Sequence, residues 1–568
     1  MIGVVAKPGE TAAVEEFFQL FKTPWESYRE GCPYDVVITT TGEVPDVDAV
    51  LLIVFGSAPA SVDAPAGIVP GSKSRGAVSD RRGSRLPIYG ELLTFKPAAA
   101  VETVLTIESA VGGVRIHSSE RTLLRLGFDL FREVEYLLSA GQPLENAAVP
   151  TLDLHIAMLR NWILEAGVGL LEIPPVPAGH DFAVCLTHDI DFIGIRDHKF
   201  DHTMFGFLYR ATFGSLRDFA RQRMSLGRLL RNLRAAASLP FVHLGLARDF
   251  WLPFEWYLRV EKNLSATYFL IPFKKRAGER VAAKNPQRRA TAYDITDIPE
   301  WTSQLTKEGC EIGVHGIDAW HSIEKGRDER QRISRVTGDS EIGVRMHWLQ
   351  QDQNTYHILE EAGYAYDSTA GYNDTIGYRS GTTQVFRPVG ARRLLELPMH
   401  IQDGALFYPQ KLDLSEREAT ECCEGLIQNA RRFGGTLTVL WHDRSHAPER
   451  FWGDFYERLV ERLKACRCWF GTAGHVVNWF RQRREVTFER VESDDGISRT
   501  RIRYSGAVIE PPLVLRRHVG DGDMESRDVG QTVDVVWRGD SEMEFGDHWA
   551  SHKTQPAGAA LVRGEQLG

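Results

Sequence analysis

Six short apolar runs separated by helical patterns follow the proline cluster Pro174-Pro175-Val176-Pro177, and no other feature constrains the fold as much. They are Phe182–Leu186, Ala266–Ile271, Glu311–Val314, Leu395–Leu397, Leu437–Leu440 and Cys468–Gly471. Such alternation over about 300 residues predicts a βα-repeat fold, either an open sheet or a barrel.

The flanking segments differ in texture. Residues 2–6, Val36–Ile38 and Val50–Phe55 are apolar runs with a helical pattern at Ala12–Phe21, the spacing of a small α/β module. Pro59–Arg85 is rich in Ala, Pro, Gly and Ser and predicts a loop or linker. Helices are expected over Ser119–Ser139, with Ser118 and Ser119 as caps, and over Leu152–Ala166. From Glu485 the pattern has period two, as in Val486–Val491 and Arg501–Tyr504, predicting a β-rich appendage. The expected division is therefore an N-terminal α/β module (1–115), a helical connector (116–178), the βα-repeat region (179–484), the appendage (485–547) and a disordered tail (548–568).

One segment interrupts the repeat. Near residues 196–250 a helical insertion is expected, and Arg210–Arg234 holds seven Arg against a single Asp, interleaved with Phe213, Leu216, Phe219, Leu226, Leu229, Leu230 and Leu233. A basic amphipathic helix can lie on anionic lipid, so peripheral membrane contact is one expectation and a solvated helix the other.

Composition narrows the function classes. With 43% hydrophobic and 25% charged residues the 568-residue chain reads as globular, not disordered. Its formal charge of −9 gives no general attraction to a nucleic-acid backbone, so no nucleic-acid partner is expected. The seven scattered cysteines do not form a disulfide framework. No secretory signal or 20-residue apolar span is visible, and a cytoplasmic location is expected.

Three of the apolar runs end in reactive side chains. Val184-Cys-Leu-Thr-His-Asp-Ile-Asp191 delivers Asp189 and Asp191 at i, i+2, a spacing that turns both carboxylates to one side of an extended chain. Such a pair suits one metal ligand and one proton acceptor. Glu311-Ile-Gly-Val-His315 ends in an imidazole, with His321 six residues on. Thr436-Leu-Thr-Val-Leu-Trp-His442 ends in another. A carboxylate with two histidines leaves positions open on a metal, as hydrolytic sites require. Residues converging from separate strand ends point to a catalytic centre.

The same residues resemble the polysaccharide deacetylase superfamily, the NodB-homology domain of carbohydrate esterase family 4, over about residues 180–482. Thr187-His188-Asp189-Ile190-Asp191 is similar to its first motif and Ala266–Leu270 to its A-T-F-F-L strand. Leu305–His315 resembles the approach to its second motif. Gly343-Val-Arg345-Met-His-Trp348, followed by Leu359–Ser368, is similar to its third, and Leu440-Trp-His442 to its L-H motif.

The resemblance implies a distorted (β/α) barrel that removes acetyl groups from sugars with a divalent metal, for which zinc is expected. It implies Asp189 as general base, Asp191, His315 and His321 as metal ligands, and His442 as general acid. Arg345 would orient Asp189, and Trp348 would help form the acetyl pocket. The family's second histidine lies four residues after the first, where this chain has Ala319; His321 serves only if Ile317–Trp320 bulges outward, and Asp318 is the fallback ligand. His347 and Trp348 stand where the family has a proline and an aromatic, and Asp374 is the stand-in for its later Asp-Trp motif. The expected function is deacetylation of an N-acetylated sugar or polysaccharide precursor. The alternatives are hydrolysis of another non-peptide C–N bond and a silent glycan-binding scaffold.

Overall fold

The computed structural model describes residues 1–97, 101–119, 121–280, 289–492, 498–519 and 532–546. The expected tail from residue 548 lies outside them. The chain forms two compact units, one of Met1–Gly179, Ser380–Thr382 and the described residues from Asn478 onward, the other of His180–Arg379 and Thr383–Val477.

The first unit opens strand–helix–strand as its apolar runs predict: β1 (Ile2–Val5), α1 (Thr11–Phe21), β2 (Trp25–Ser27), β3 (Val36–Thr39) and β4 (Leu51–Phe55). It continues with β5 (Ile68–Asp80), β6 (Arg85–Pro97), β7 (Glu102–Ile107), β8 (Ala110–His117), β9 (Thr122–Leu126), α2 (Leu130–Leu137), α3 (Thr151–Glu165) and β10 (Leu170–Glu172). The sheet order is β2-β1-β3-β4-β9-β8-β6-β5-β7. Strands β8, β6, β5 and β7 pair antiparallel in a closed ring, because β7 also pairs with β8.

Two expectations fail here. Pro59–Arg85 is not a loop throughout, since it contains β5. Only Ile68 and Val78 of that strand are buried and its register shifts between Pro70 and Lys73 and between Ser74 and Gly76, so its small and polar residues carry no apolar alternation. Ser119–Ser139 is not one helix either. Thr122-Leu-Leu-Arg-Leu126 lies parallel to β4 as a buried strand, and only Leu130–Leu137 is helical. Short apolar runs do not by themselves distinguish strand from helix. Arg125 sits inside this strand because Asp63 pairs with its Nε at 2.8 Å and the Gly56 and Leu126 carbonyls accept from its Nη1. From Thr487 the described strands pair antiparallel, as the period-two pattern predicts.

The second unit is the curled parallel sheet of a distorted (β/α) barrel. Its strands are β11 (Phe182–Ile190), β12 (Ala266–Leu270), β13 (Glu311–Gly316), β14 (Val344–Met346), β15 (Tyr366–Asp367), β16 (Leu395–Glu396), β17 (Ile401–Gln402), β18 (Thr436–Leu440) and β19 (Cys468–Phe470). They run β16-β15-β14-β13-β12-β11-β18-β17, with β19 also on β11, and every pairing is parallel. All nine residues of β11 are buried, which is why this strand reads as a nearly continuous apolar run. One apolar core lies against the sheet, including Leu186, Tyr268, Val314, Val344 and Val439.

The expected helical insertion follows β11. It contains α4 (His202–Tyr209), a π-helical turn at Arg210–Gly214, α5 (Ser215–Ala220) and α6 (Leu226–His243). Met204, Phe207, Ala211, Ala235, Leu239 and Val242 pack with Trp251 into a small core. Among the described residues, eleven of the twenty-one exposed large hydrophobic side chains fall between Phe200 and Leu246. No described helix is long and apolar enough to cross a membrane.

Candidate functional site

The sheet order makes β14, β13, β12, β11 and β18 successive neighbours, and four of these five end in reactive groups. Side-chain alternation along β11 sorts its residues. His188 turns into the core, where its ring lies 2.8 Å from Glu261 Oε1 and 3.0 Å from the Trp441 carbonyl. Thr187 and Asp189 turn the other way, and Asp191 follows just past the strand. The Asp191 N–H donates to Asp443 Oδ1 at 3.3 Å.

Arg345, on β14, fixes Asp189. Its Nη1 donates to Asp189 Oδ1 at 3.1 Å and to Thr187 Oγ1 at 2.8 Å. Its Nη2 donates to Ser368 Oγ and its Nε to the Ser368 carbonyl, so the buried guanidinium is held from both sides. The expected pairing of Arg345 with Asp189 is present.

Asp191, His315 and His347 form a three-donor cluster whose atoms lie within 4.8 Å of one another. Asp191 Oδ1 is 3.3 Å from His315 Nε2 and 3.2 Å from His347 Nε2. The His315 Nδ1–H donates to the Arg345 carbonyl at 3.1 Å, and because a carbonyl only accepts, the Nε2 lone pair is left facing the cluster. Burial lowers the His347 pKa well below 6.5, which keeps its imidazole neutral. Burial opposes ionisation of Asp191, and its carboxyl falls below the usual range only through positive charge at His347 and then His315, a charge that a bound cation supplies when the imidazoles are neutral. Asp191 Oδ1 is nonetheless buried without a hydrogen-bond partner. An orphaned carboxylate oxygen between two imidazole nitrogens is the donor pattern a divalent cation satisfies.

The third donor is therefore His347 and not His321. His321 Nε2 lies 3.0 Å from Asp318 Oδ1, so the expected ligand and its fallback pair with each other outside the cluster. The outward bulge does not form because Ile317, Ala319 and Trp320 are buried in the core. Glu329 also pins the turn, accepting from the N–H groups of Ile317 and Asp318 at 2.9 and 2.7 Å. The missed signal was spacing: Arg345 and His347 are i, i+2 at a strand end, as are Asp189 and Asp191.

His442 follows β18. Its Nδ1–H donates to Asp403 Oδ1 at 2.6 Å and its backbone N–H to Asp403 Oδ2 at 2.9 Å, while Ser445 also donates to Oδ2. Burial alone would lower the His442 pKa, but Asp403, with Asp189 and Asp191 beyond, raises it to about 10. The partner is Asp403, which sequence reasoning missed, whereas Asp374 is exposed.

The pocket lined by Asp189, Asp191, His315, His347, Trp348 and His442 has a volume of about 180 Å³. Trp348 and Leu349 have φ of 64° and 50°, and this left-handed pair sits on the pocket wall. Consecutive non-glycine residues in that region are strained and tend to mark functional sites.

No protein-family model matches the chain, and no curated protein matches it. Solved structures do. A structure from Mycobacterium smegmatis assigned to the polysaccharide deacetylases is similar at 19% identity over 55% of this chain and 95% of its own, with a TM-score of 0.31. The carbohydrate deacetylase Agd3 is similar at 9% identity over 96% of this chain and 98% of its own, with a TM-score of 0.37. The PuuE allantoinase is similar at 14% identity over 54% of this chain and 92% of its own, with a TM-score of 0.31. Polysaccharide deacetylases, including a carbohydrate esterase family 4 domain, thus match about half of the chain, and Agd3 matches nearly all of it.

Proposed function

We propose that this chain is a metal-dependent hydrolase that removes an acetyl group from an N-acetylated sugar or polysaccharide precursor. The observation that carries the reading is the meeting in one pocket of an Arg-held carboxylate, a His/His/Asp donor set and an Asp-held histidine. Two imidazoles and one carboxylate suit a borderline divalent cation, zinc foremost, and leave positions open for substrate. Such an ion, when bound, polarises an acetyl carbonyl and lowers the pKa of water.

The side chains supply the proton transfers. Arg345 occupies Asp189 Oδ1, which leaves Oδ2 to accept the proton of an attacking water. Asp403 occupies His442 Nδ1, so Nε2 is the atom that donates to the departing amine. With its pKa raised to about 10, His442 carries that proton at neutral pH. Buried donors and acceptors fixed in this way lose little reorganisation energy during reaction.

A silent scaffold gains nothing from a buried, orphaned Asp191 oxygen, which disfavours that alternative. Hydrolysis of a cyclic amide would use the same groups. Mass spectrometry of zinc-loaded protein with N-acetylated oligosaccharides and with cyclic amides separates the two. Loss of acetyl mass supports deacetylation, whereas gain of one water by a cyclic amide, with the acetyl sugars intact, overturns it.

A further inference from the structure

We propose that the substrate carries an anionic group, a carboxylate or a phosphate, held in this pocket by Arg444, Arg450 and Lys411. The proposal rests on the deacetylase reading for its substrate, but its geometry is independent of turnover. All three side chains line the pocket. Arg444 stacks over Phe192 at 4.0 Å and Trp251 at 4.7 Å, and its nearest carboxylate oxygen is Asp443 Oδ2 at 3.9 Å, beyond hydrogen-bond reach. Arg450 lies over Tyr408 and Trp452 at 5.1 and 4.8 Å, and its Nη2 donates to the Tyr408 hydroxyl at 2.5 Å. Lys411 donates to the Asn373 carbonyl. Among the described residues, no carboxylate lies within salt-bridge distance of Arg450 or Lys411.

Three of the acids at the pocket pair with other groups, and Asp443 stays 3.9 Å from Arg444 Nε without a hydrogen bond to it. Asp189 faces Arg345, Asp191 faces the two histidines, and Asp403 holds His442. Two guanidiniums braced on aromatic faces, with most of their N–H groups unspent, form a preorganised site for a planar or tetrahedral oxyanion. The carboxylates around the two arginines, Asp443, Glu449 and Asp403, make no hydrogen bond to them, so an anionic substrate supplies the direct charge pairing they lack.

The test has two arms. In the first, zinc-loaded protein is given N-acetylglucosamine, its 1-phosphate and N-acetylmuramic acid, and kcat/KM is compared. One anionic substrate should exceed the neutral sugar by about tenfold or more, and which one does so distinguishes phosphate from carboxylate. Arg450→Gln and the half-buried Lys411→Gln should shrink that ratio. In the second arm, inorganic phosphate and glucuronate are titrated calorimetrically into chelator-treated protein, where no metal can hold them. Binding that weakens in both variants supports the site even if no sugar is turned over, and in that case only the deacetylase reading fails. Equal rates on neutral and anionic sugars together with no anion binding overturn it.

A separate observation concerns the insertion, and we infer that its exposed face docks on an anionic membrane surface. Phe205, Tyr209 and Phe213 follow one another at i, i+4 along α4 and the π turn, with Leu216 and Phe219 continuing on α5. Phe200, Phe213, Leu244 and Leu246 are 70–84% exposed. Arg221, Arg223, Arg231 and Arg234 are also exposed, and no carboxylate pairs with them among the described residues. Aromatic and leucine side chains beside unpaired arginines fit acyl chains below and acidic headgroups above. The full chain should therefore co-sediment with phosphatidylcholine vesicles containing phosphatidylglycerol, less well at high salt, and poorly with phosphatidylcholine alone. Phe213→Asp and Arg231→Glu, both at exposed positions, should each weaken binding several-fold. Equal sedimentation with both vesicle types overturns the inference. So does a concentration-dependent dimer lost in Phe213→Asp without vesicle binding, which assigns the face to a second copy.

Discussion

Two ion pairs, one buried and one half-buried, set the proton chemistry of the pocket. Asp189 shares Oδ1 with Arg345, and His442 shares Nδ1 with Asp403. Asp189→Asn should keep its metal and lose about 10²–10⁴-fold in rate, because it removes a proton acceptor and leaves the donor cluster intact. Retained turnover would take Asp189 out of the chemistry. His442 acts protonated, so rate should fall as pH rises through its pKa of about 10. Asp403→Asn removes the main raising charge, and the alkaline limb should move to lower pH; a limb that stays in place would separate Asp403 from His442. Most of these residues were legible in the sequence, since Asp189, Asp191, His315 and His442 each stand at or just past an apolar strand end, while Arg345 was reached only through the resemblance of Gly343–Trp348 to the third family motif. His347 was not, because it occupies a position where the resembled family has proline. His321 misled because an imidazole near His315 counts as a candidate ligand until the burial of Ile317, Ala319 and Trp320 is seen.

Among the elements, β14 carries the most function for its length, presenting Arg345 and leading directly to His347 and the strained turn at Trp348. Its register on β13 pairs His315 with Arg345. Gly343, just before it, packs so closely on the Tyr366 ring that a Cβ there would collide with it. Gly343→Ala should destabilise the protein by about 1–3 kcal/mol in denaturant unfolding and weaken metal binding together, since displacing β14 displaces its donor. Unchanged stability would show that the strand tolerates a shift. Buried strands such as β11 and β18 were legible because both their faces are buried, which leaves runs rich in apolar residues. Strand β5 was not, because a strand with register shifts and only Ile68 and Val78 buried leaves no period-two apolar pattern to read.

For the whole molecule, the βα alternation and the period-two C-terminal pattern carried the architecture, while the closed ring of β8, β6, β5 and β7 depends on pairings between distant segments that no local pattern encodes. A cation bound only by the folded chain stabilises it by mass action, so zinc at about 100 times its Kd should add about 2.7 kcal/mol of stability to the wild type. The same zinc should stabilise His347→Ala far less, by about 0.4 kcal/mol or below if affinity falls 100-fold or more; an equal rise in both would place the ion elsewhere. The central claim is that Asp191, His315 and His347 hold the metal, and calorimetric titration of zinc into the metal-free full chain tests it most directly. The wild type should bind one ion, His347→Ala and His315→Ala should each lose about 100-fold or more in affinity, and His321→Ala should bind as the wild type does. Zinc lost on replacing His321 but kept on replacing His347 would contradict it.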